Sequence, residues 1–158
     1  MPVPKPKEIY KREINVADAD FDVNDIYKGV KAKGEELEYT FFEKQHTSRP
    51  QKYGHEYEFK FNFYKHLDPL VMYEIVVEMK FTDVQILKIG HHGNGFITVK
   101  ASLTYDYENK FGTNKMKSFF YKLYSNAAKN ELKKKYVIPL DSDASKIYEV
   151  IKQKLDFY

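Results

Sequence analysis

The clearest pattern in the chain is the alternation of ring-bearing and polar residues in EYEFKFNFY, residues 56–64. Tyr57, Phe59, Phe61 and Phe63 occupy every second position, and charged or polar residues lie between them. A period of two is the mark of a β-strand with one buried face. The segment therefore predicts a half-buried strand of an antiparallel sheet.

The pattern repeats after the Asp68–Pro69 turn and predicts two more strands. The first is expected to bend near Thr82–Asp83, and the loop GHHGNG, residues 90–95, is expected to turn the chain. Their inner faces share β-branched, aliphatic and aromatic residues: Tyr73, Ile75, Val77, Met79 and Phe81, then Ile97, Val99, Ala101, Leu103 and Tyr105. Consecutive strands with short turns form a meander.

Two earlier segments also alternate. Residues 8–17 predict a first strand, with Tyr10, Arg12, Ile14 and Val16 on one face. Residues 36–45 predict another, whose inner residues are Leu37, Tyr39 and Phe41. The segment TSRPQKYG that follows is expected to be a turn or loop.

Three segments have helical spacing. Residues 18–36 are expected to form a helix capped by Asp20 or Asp22 and ended by Gly34, and Gly29 weakens or splits it. Residues 115–135 predict a long amphipathic helix, and residues 142–157 a second helix capped by Asp141 or Ser142. The apolar stripes are Met116, Phe119, Phe120, Leu123, Ala127 and Leu132, then Ile147, Val150, Ile151 and Leu155.

A sheet with one apolar face must cover that face, and the helices are the available cover. We therefore predict an α+β fold, a curved antiparallel meander of five to seven strands packed on the long C-terminal helix 115–135. Residues 8–158 are expected to form a single domain. Residues 1–7 carry three prolines and two lysines and are expected to form a flexible arm.

This order of a strand, a helical segment, a strand meander and a long helix resembles the helix-grip fold of the START and Bet v 1-like superfamily. The resemblance spans about residues 8–135 and lies in the pattern, not in a motif. One interrupted helical segment stands where the superfamily has two, and the helix at 142–157 is additional. The resemblance implies a cavity between sheet and helix that binds lipids, sterols or other hydrophobic molecules.

Composition restricts the compartment and the chemistry. The chain has no cysteine, which excludes disulfides, thiolate metal sites and thiol nucleophiles, and favours the cytoplasm. The first residues lack the apolar stretch of a signal peptide, and no run approaches 18 apolar residues, so no membrane span is expected. A net charge of +3 is too small to indicate a nucleic-acid-binding surface by itself.

No phosphate-binding, dinucleotide-binding, nucleophile-elbow or zinc-protease motif occurs, so a non-catalytic protein is favoured. Two sets of histidines are candidates for a metal site or a joint site. The adjacent His91 and His92 are better interpreted as an exposed turn, and the others as scattered strand-end residues: His46, His55 and His66. The acidic pairs Glu56/Glu58 and Glu74/Glu78 are interpreted as solvent-facing residues opposite Lys60 and Lys80.

These observations favour a binder or carrier of a hydrophobic small molecule or lipid, held between the sheet and helix 115–135. The predicted binding residues share the inner face of that space: Tyr57, Phe59, Phe61, Tyr73, Val77, Val99 and Phe120. No cofactor and no metal are expected. Two arrangements fit these rings, a filled core and an open cavity.

Two other functions remain as alternatives. The chain could be a scaffold or assembly protein that acts through a protein–protein interface, with a homodimer among the candidate assemblies. It could also bind RNA or DNA through the lysine-rich helix 115–135. That second alternative is disfavoured because Arg12 and Arg49 are the only arginines, and arginine supplies most bidentate phosphate and base contacts.

Overall fold

The computed structural model describes residues 6–52, 54–67, 71–105 and 133–155. In chain order these residues form β1 (Lys7–Phe21), α1 (Val23–Glu36), β2 (Thr40–Gln51), β3 (Gly54–His66), β4 (Val71–Ile86), β5 (His91–Tyr105), a π-helical turn (Lys133–Val137) and α2 (Ile138–Lys154). The alternating segments 8–17, 56–64, 73–81 and 97–105 lie in strands, as predicted. The predicted strand 36–45 begins only at Thr40, because Glu36 ends α1 and Leu37 caps it, so Leu37 and Tyr39 precede the strand.

The five strands form one antiparallel sheet in the order β1-β5-β4-β3-β2. The register places Phe61 beside Val77 and Val77 beside Val99, so the predicted apolar faces coincide on one side, here called the inner face. Helix α1 packs on β2, and α2 packs on β5, β1 and α1. The predicted α+β class, an antiparallel meander packed on a C-terminal helix, is confirmed.

The described C-terminal helix on the inner face corresponds to the second predicted helix, residues 142–157. Residues 115–132, the main part of the predicted covering helix, lie outside the described residues, and residues 133–135 belong to the π-helical turn. The described cover is α2, which begins at Ile138 instead of 142. Pro139 lies in its first turn, where a missing N–H costs nothing, so the helix needs neither Asp141 nor Ser142 as its cap.

Two predicted loops are strands. Residues 47–51 continue β2 because they pair with β3, for example Thr47 with Glu58, and residues 91–95 begin β5. The turn before β5 instead comprises residues 87–90 and closes with a hydrogen bond from the Leu87 N–H to the Gly90 carbonyl, 3.1 Å long. The bend expected near Thr82–Asp83 is a bulge between Thr82 and Gln85.

Helix α1 begins after Asp22, whose carboxylate accepts the N–H groups of Asn24 and Asp25 at 3.0 and 3.2 Å. This confirms one of the two predicted caps. The helix continues through both glycines to Glu36, so the prediction that Gly34 ends it is wrong. Gly34 is buried against the ring of Phe63, so its missing side chain serves packing.

The two helices run antiparallel across the inner face. Lys154, at the end of α2, binds Asp25 in the first turn of α1 with an N–O distance of 3.1 Å. At the other end, the hydroxyl of Tyr39 donates to Oδ2 of Asp143, 2.9 Å away. The close approach of Gly29 to Val150 brings the helix axes together between these points.

Both edge strands carry features that oppose further strand pairing. The register of strand β1 shifts at two places, between Glu8 and Tyr10 and between Val16 and Ala19. The register of β2 shifts once, between Glu43 and Gln45. Pro50 also removes a backbone donor near the end of β2. Such bulges and prolines make an edge a poor template for another strand.

Candidate functional site

Six of the seven predicted binding residues lie on the inner face, and Phe120 lies outside the described residues. Phe61, Val77 and Val99 expose none of their surface, and Tyr73 exposes 1%. Protein atoms therefore enclose these four side chains. A ligand could reach them only if the cover moved away from the sheet, and their binding role stays a prediction.

The other two predicted residues belong to a more open region. Tyr57 is half-buried, and Phe59 lies beside it with 4% exposure. Together with neighbouring rings from α1 and β2 they form what we call the aromatic rim: Tyr27, Phe41, His46, Tyr57 and Phe59. All of these except Phe59 keep part of their surface in solvent.

The rings of the aromatic rim are in mutual contact. The centroid of Phe59 lies 4.6 Å from that of His46, 5.8 Å from that of Tyr27 and 6.5 Å from that of Tyr57. Phe41 meets Tyr27 edge to face at 6.5 Å. These separations are within the range in which aromatic pairs attract one another. The result is a continuous ring-lined surface at the side of α1.

A bulge in β2 places the polar residues of this region. Glu43 pairs with Phe61 and His46 pairs with Phe59, so three residue steps in β2 match two in β3. In a regular strand, residues 43 and 46 would point to opposite faces. The irregularity between Glu43 and Gln45 therefore brings both side chains to the inner face.

The polar side chains form a hydrogen-bonded chain. The hydroxyl of Tyr27 donates to Oε2 of Glu43 at 3.1 Å, and Nδ1 of His46 lies 2.8 Å from Oε1 of the same carboxylate. Burial, followed by the contact with Glu43, raises the pKa of the Tyr27 hydroxyl. The carboxylate thus holds both partners, and 52% of the His46 side chain remains exposed beside the rings.

His91 is not the exposed turn residue that the sequence suggested. It is buried, stacks on Phe21 at 6.3 Å and meets Tyr57 edge to face at 5.7 Å. Its Nδ1 accepts the N–H of Val23 at 3.2 Å, which satisfies a free donor in the first turn of α1. Burial lowers the pKa of His91, and the nearby Asp22 opposes that shift.

His92 points away from the inner face, as adjacent residues of a strand must. Its Nδ1 lies 2.5 Å from Asp20 and its Nε2 2.7 Å from Asp18. The hydrogen bond to Asp20, followed by that to Asp18, raises the pKa of His92. His92 and the two carboxylates link β5 to the bulged end of β1.

The remaining histidines do not form a joint site. His55 lies 6.3 Å from Tyr57 and therefore flanks the aromatic rim opposite His46. His66 is at the far end of the same strand, roughly 36 Å away at the usual rise per residue. In the described ranges no three histidine, aspartate or glutamate side chains form a group that could hold a metal ion.

The acidic pairs lie on the outer face of the sheet. Nζ of Lys80 is 3.2 Å from Glu56 and 3.3 Å from Glu58, and Nζ of Lys60 is 3.7 Å from Glu78. For these three glutamates, the interpretation as solvent-facing residues that pair with lysines is confirmed. They offer no paired carboxylates to the inner face.

A comparison with models of known protein families finds no match for the chain. A comparison with curated proteins also finds no match. Within the described part of the chain, neither helix combines the length and the apolar composition that crossing a membrane would require.

Proposed function

We propose that the protein is a non-catalytic binder of a hydrophobic small molecule, and that the ligand lies on the aromatic rim. The observation that carries this proposal is the contact of five rings, four of them partly in solvent, on one side of α1. Flat apolar molecules gain both area burial and ring contacts on such a surface.

The aromatic rim favours a ligand with a flat body over a long flexible chain. Its rings are rigid and belong to three different elements, so a planar molecule can contact several of them at low cost in conformational entropy. Tyr27, His46 and Tyr57 are partly in solvent and can be contacted without moving a helix. A deeper cavity lined by Phe61, Tyr73, Val77 and Val99, as in the helix-grip proteins that the sequence resembles, stays part of the proposal.

The binding is tested with methoxynaphthalene as probe, titrated into the protein and followed by the nuclear magnetic resonance signals of the tyrosine rings. We expect saturable shifts of Tyr27 and Tyr57. The change Tyr57→Ser should weaken binding about fivefold or more, since stacking on an aromatic side chain contributes about 1–1.5 kcal/mol.

The matched control is Tyr64→Ser. Tyr64 is also half-buried on β3 and packs edge to face on Phe42 at 5.5 Å, but it lies on the outer face. Its loss should leave the affinity for the probe within twofold of the parent protein. Absence of saturable binding, or an equal loss in both variants, would refute the proposal.

A second candidate function is assembly with another protein chain, including a second copy of this one. The last residue of β4 and the turn that follows it expose three apolar side chains, Ile86 by 62%, Leu87 by 43% and Ile89 by 90%. Sedimentation of the protein with and without Ile89→Ser tests this candidate. A dimer that the variant abolishes would support it, and a monomer at every concentration would exclude self-association.

Nucleic-acid binding has no support from the described residues. The sequence predicts the nucleic-acid-binding surface on the lysine-rich helix 115–135, and residues 115–132 lie outside the described residues.

A further inference from the structure

We infer that the ligand of the aromatic rim carries a hydroxyl or an equivalent hydrogen-bond donor, which it donates to Nε2 of His46. This inference rests on the proposed binding at the rim and names the chemistry of the ligand's polar end. It would make the ligand class a planar aromatic or polycyclic alcohol rather than a plain hydrocarbon.

The carboxylate of Glu43 decides which ring nitrogen is free. It lies 2.8 Å from Nδ1 of His46, so that nitrogen carries a proton and donates to it. In a neutral imidazole the other nitrogen, Nε2, then holds a lone pair and accepts hydrogen bonds. No described residue hydrogen-bonds Nε2, and about half of the side chain is in solvent.

Tyr27 keeps this arrangement in place. Its hydroxyl donates to the second carboxylate oxygen, Oε2, at 3.1 Å. With one oxygen held by Tyr27 and the other by His46, the Glu43 side chain is restrained in one orientation. The imidazole is restrained in turn, as in sites where a carboxylate orients a histidine for work at its other nitrogen.

The free nitrogen lies at the edge of the ring-lined surface. The imidazole centroid is 5.9 Å from that of Tyr27 and packs on the buried Phe59 at 4.6 Å, so a molecule that lies against the exposed part of Tyr27 would reach Nε2 with a polar group at its own edge. A hydroxyl there would complete the row of hydrogen bonds that starts at Tyr27.

The neighbouring charges favour a neutral donor. An anionic group at Nε2 would be repelled by the carboxylate of Glu43, although Lys31, whose Nζ is 5.3 Å from the centroid of Phe41, would attract it from the other side. A cationic group would find both oxygens of Glu43 already accepting hydrogen bonds. A neutral hydroxyl meets neither difficulty.

The experiment compares naphthol with its methyl ether, methoxynaphthalene, under identical buffer conditions. The two probes share the apolar body, but only naphthol can donate a hydrogen bond. We expect naphthol to bind about tenfold more tightly, since a well-placed hydrogen bond contributes about 1–1.5 kcal/mol. His46→Phe keeps a ring over Phe59 and should reduce this preference to about one, with the affinity for the ether within twofold.

Two further variants separate the roles of the residues. His55→Phe changes the histidine on the other flank of the rim and should leave the preference for naphthol intact. Glu43→Ala should lower the preference severalfold and should also change the imidazole nitrogen chemical shifts of His46 from one tautomer to a mixture. A merely structural role for Glu43 would not move those shifts.

The outcomes distinguish the two proposals. If neither probe binds, the proposed function fails. If both probes bind with equal affinity, the rim binds apolar molecules but the inferred hydrogen bond is refuted. A preference for naphthol that survives His46→Phe would also refute it, because the donor would then be recognised elsewhere.

Discussion

Replacing Gly34 by alanine should destabilise the protein, although alanine is the better helix former. A Cβ built on Gly34 overlaps Cε1 and Cδ1 of Phe63 and lies 3.0 Å from Cζ of that ring. Phe63 exposes none of its surface, so the ring has no free space into which it can retreat. Either the ring must leave its preferred rotamer or α1 must move away from the sheet.

The magnitude follows from two opposing effects. Ala for Gly inside a helix contributes about 1 kcal/mol of stability. Overpacking a well-packed core costs about 1–3 kcal/mol, and the overlap with a fully enclosed ring places Gly34→Ala toward the upper end of that range. The net loss should be about 2 kcal/mol, which lowers the melting temperature of a chain of this size by about 4–8 °C.

Gly29→Ala is the matched control on the same helix. Its Cβ would lie 3.1 Å from Cε of Lys154, at the far end of a flexible side chain, and 3.2 Å from Cγ1 of Val150, so a shift of a few tenths of an ångström is enough to accommodate it. This variant should be between neutral and about 1 kcal/mol more stable than the parent. Urea unfolding followed by circular dichroism measures both variants.

A Gly34→Ala variant that is as stable as the parent protein, or more stable, would refute this prediction. The prediction also fails if Phe63→Leu, which removes the overlapped ring, does not reduce the cost of Gly34→Ala in a double-mutant cycle. A positive coupling between the two positions is expected, because the two residues share one contact.

Three other predictions use the same unfolding assay. The pKa of His91 is lowered, so its contribution to stability is present above the unfolded pKa of about 6.5 and is lost as the pH falls through the folded pKa. The pKa of His92 is raised, so its contribution to stability is present below about 6.5 and is lost as the pH rises through the folded pKa. His91→Gln and His92→Gln should therefore change the pH dependence of the unfolding free energy in opposite directions, and parallel curves would contradict this. Tyr39→Phe should cost about 1–3 kcal/mol through the lost hydrogen bond to Asp143, and an unchanged midpoint in urea would show that the bond contributes nothing. Oδ1 of Asn62 is buried without a hydrogen-bond partner in the described part of the chain, whereas its Nδ2 donates to the partly exposed hydroxyl of Tyr64 at 3.0 Å, which water can replace. Asn62→Val should therefore be neutral or stabilising, and a loss above about 1 kcal/mol would contradict it.

Much of the fold could be predicted from local patterns alone. The alternation at residues 57–63 and 73–81 identifies strands and their buried faces, because the period of two is a property of each strand by itself. The cap at Asp22 is equally local, since its carboxylate bonds to N–H groups two and three residues ahead. Six of the seven predicted binding residues accordingly lie on one face.

The candidate site itself was outside the reach of such patterns. Tyr27 could be noted for its helical spacing and His46 for its position near a strand end, but nothing local indicated that they meet. Their contact depends on the bulge between Glu43 and Gln45, and a bulge is set by how β2 hydrogen-bonds to β3.

The sequence by itself therefore determined the centres of the alternating strands, the cap of α1 and the apolar face of each of these elements. The tertiary structure decided which helices cover the sheet and which polar groups share the inner face with the rings. It also decided that position 34 needs a glycine, because the ring of Phe63 occupies the space of a side chain there. The physical reason is range: periodicity and capping act over a few residues, whereas register, close approach and side-chain networks depend on partners that are distant in sequence.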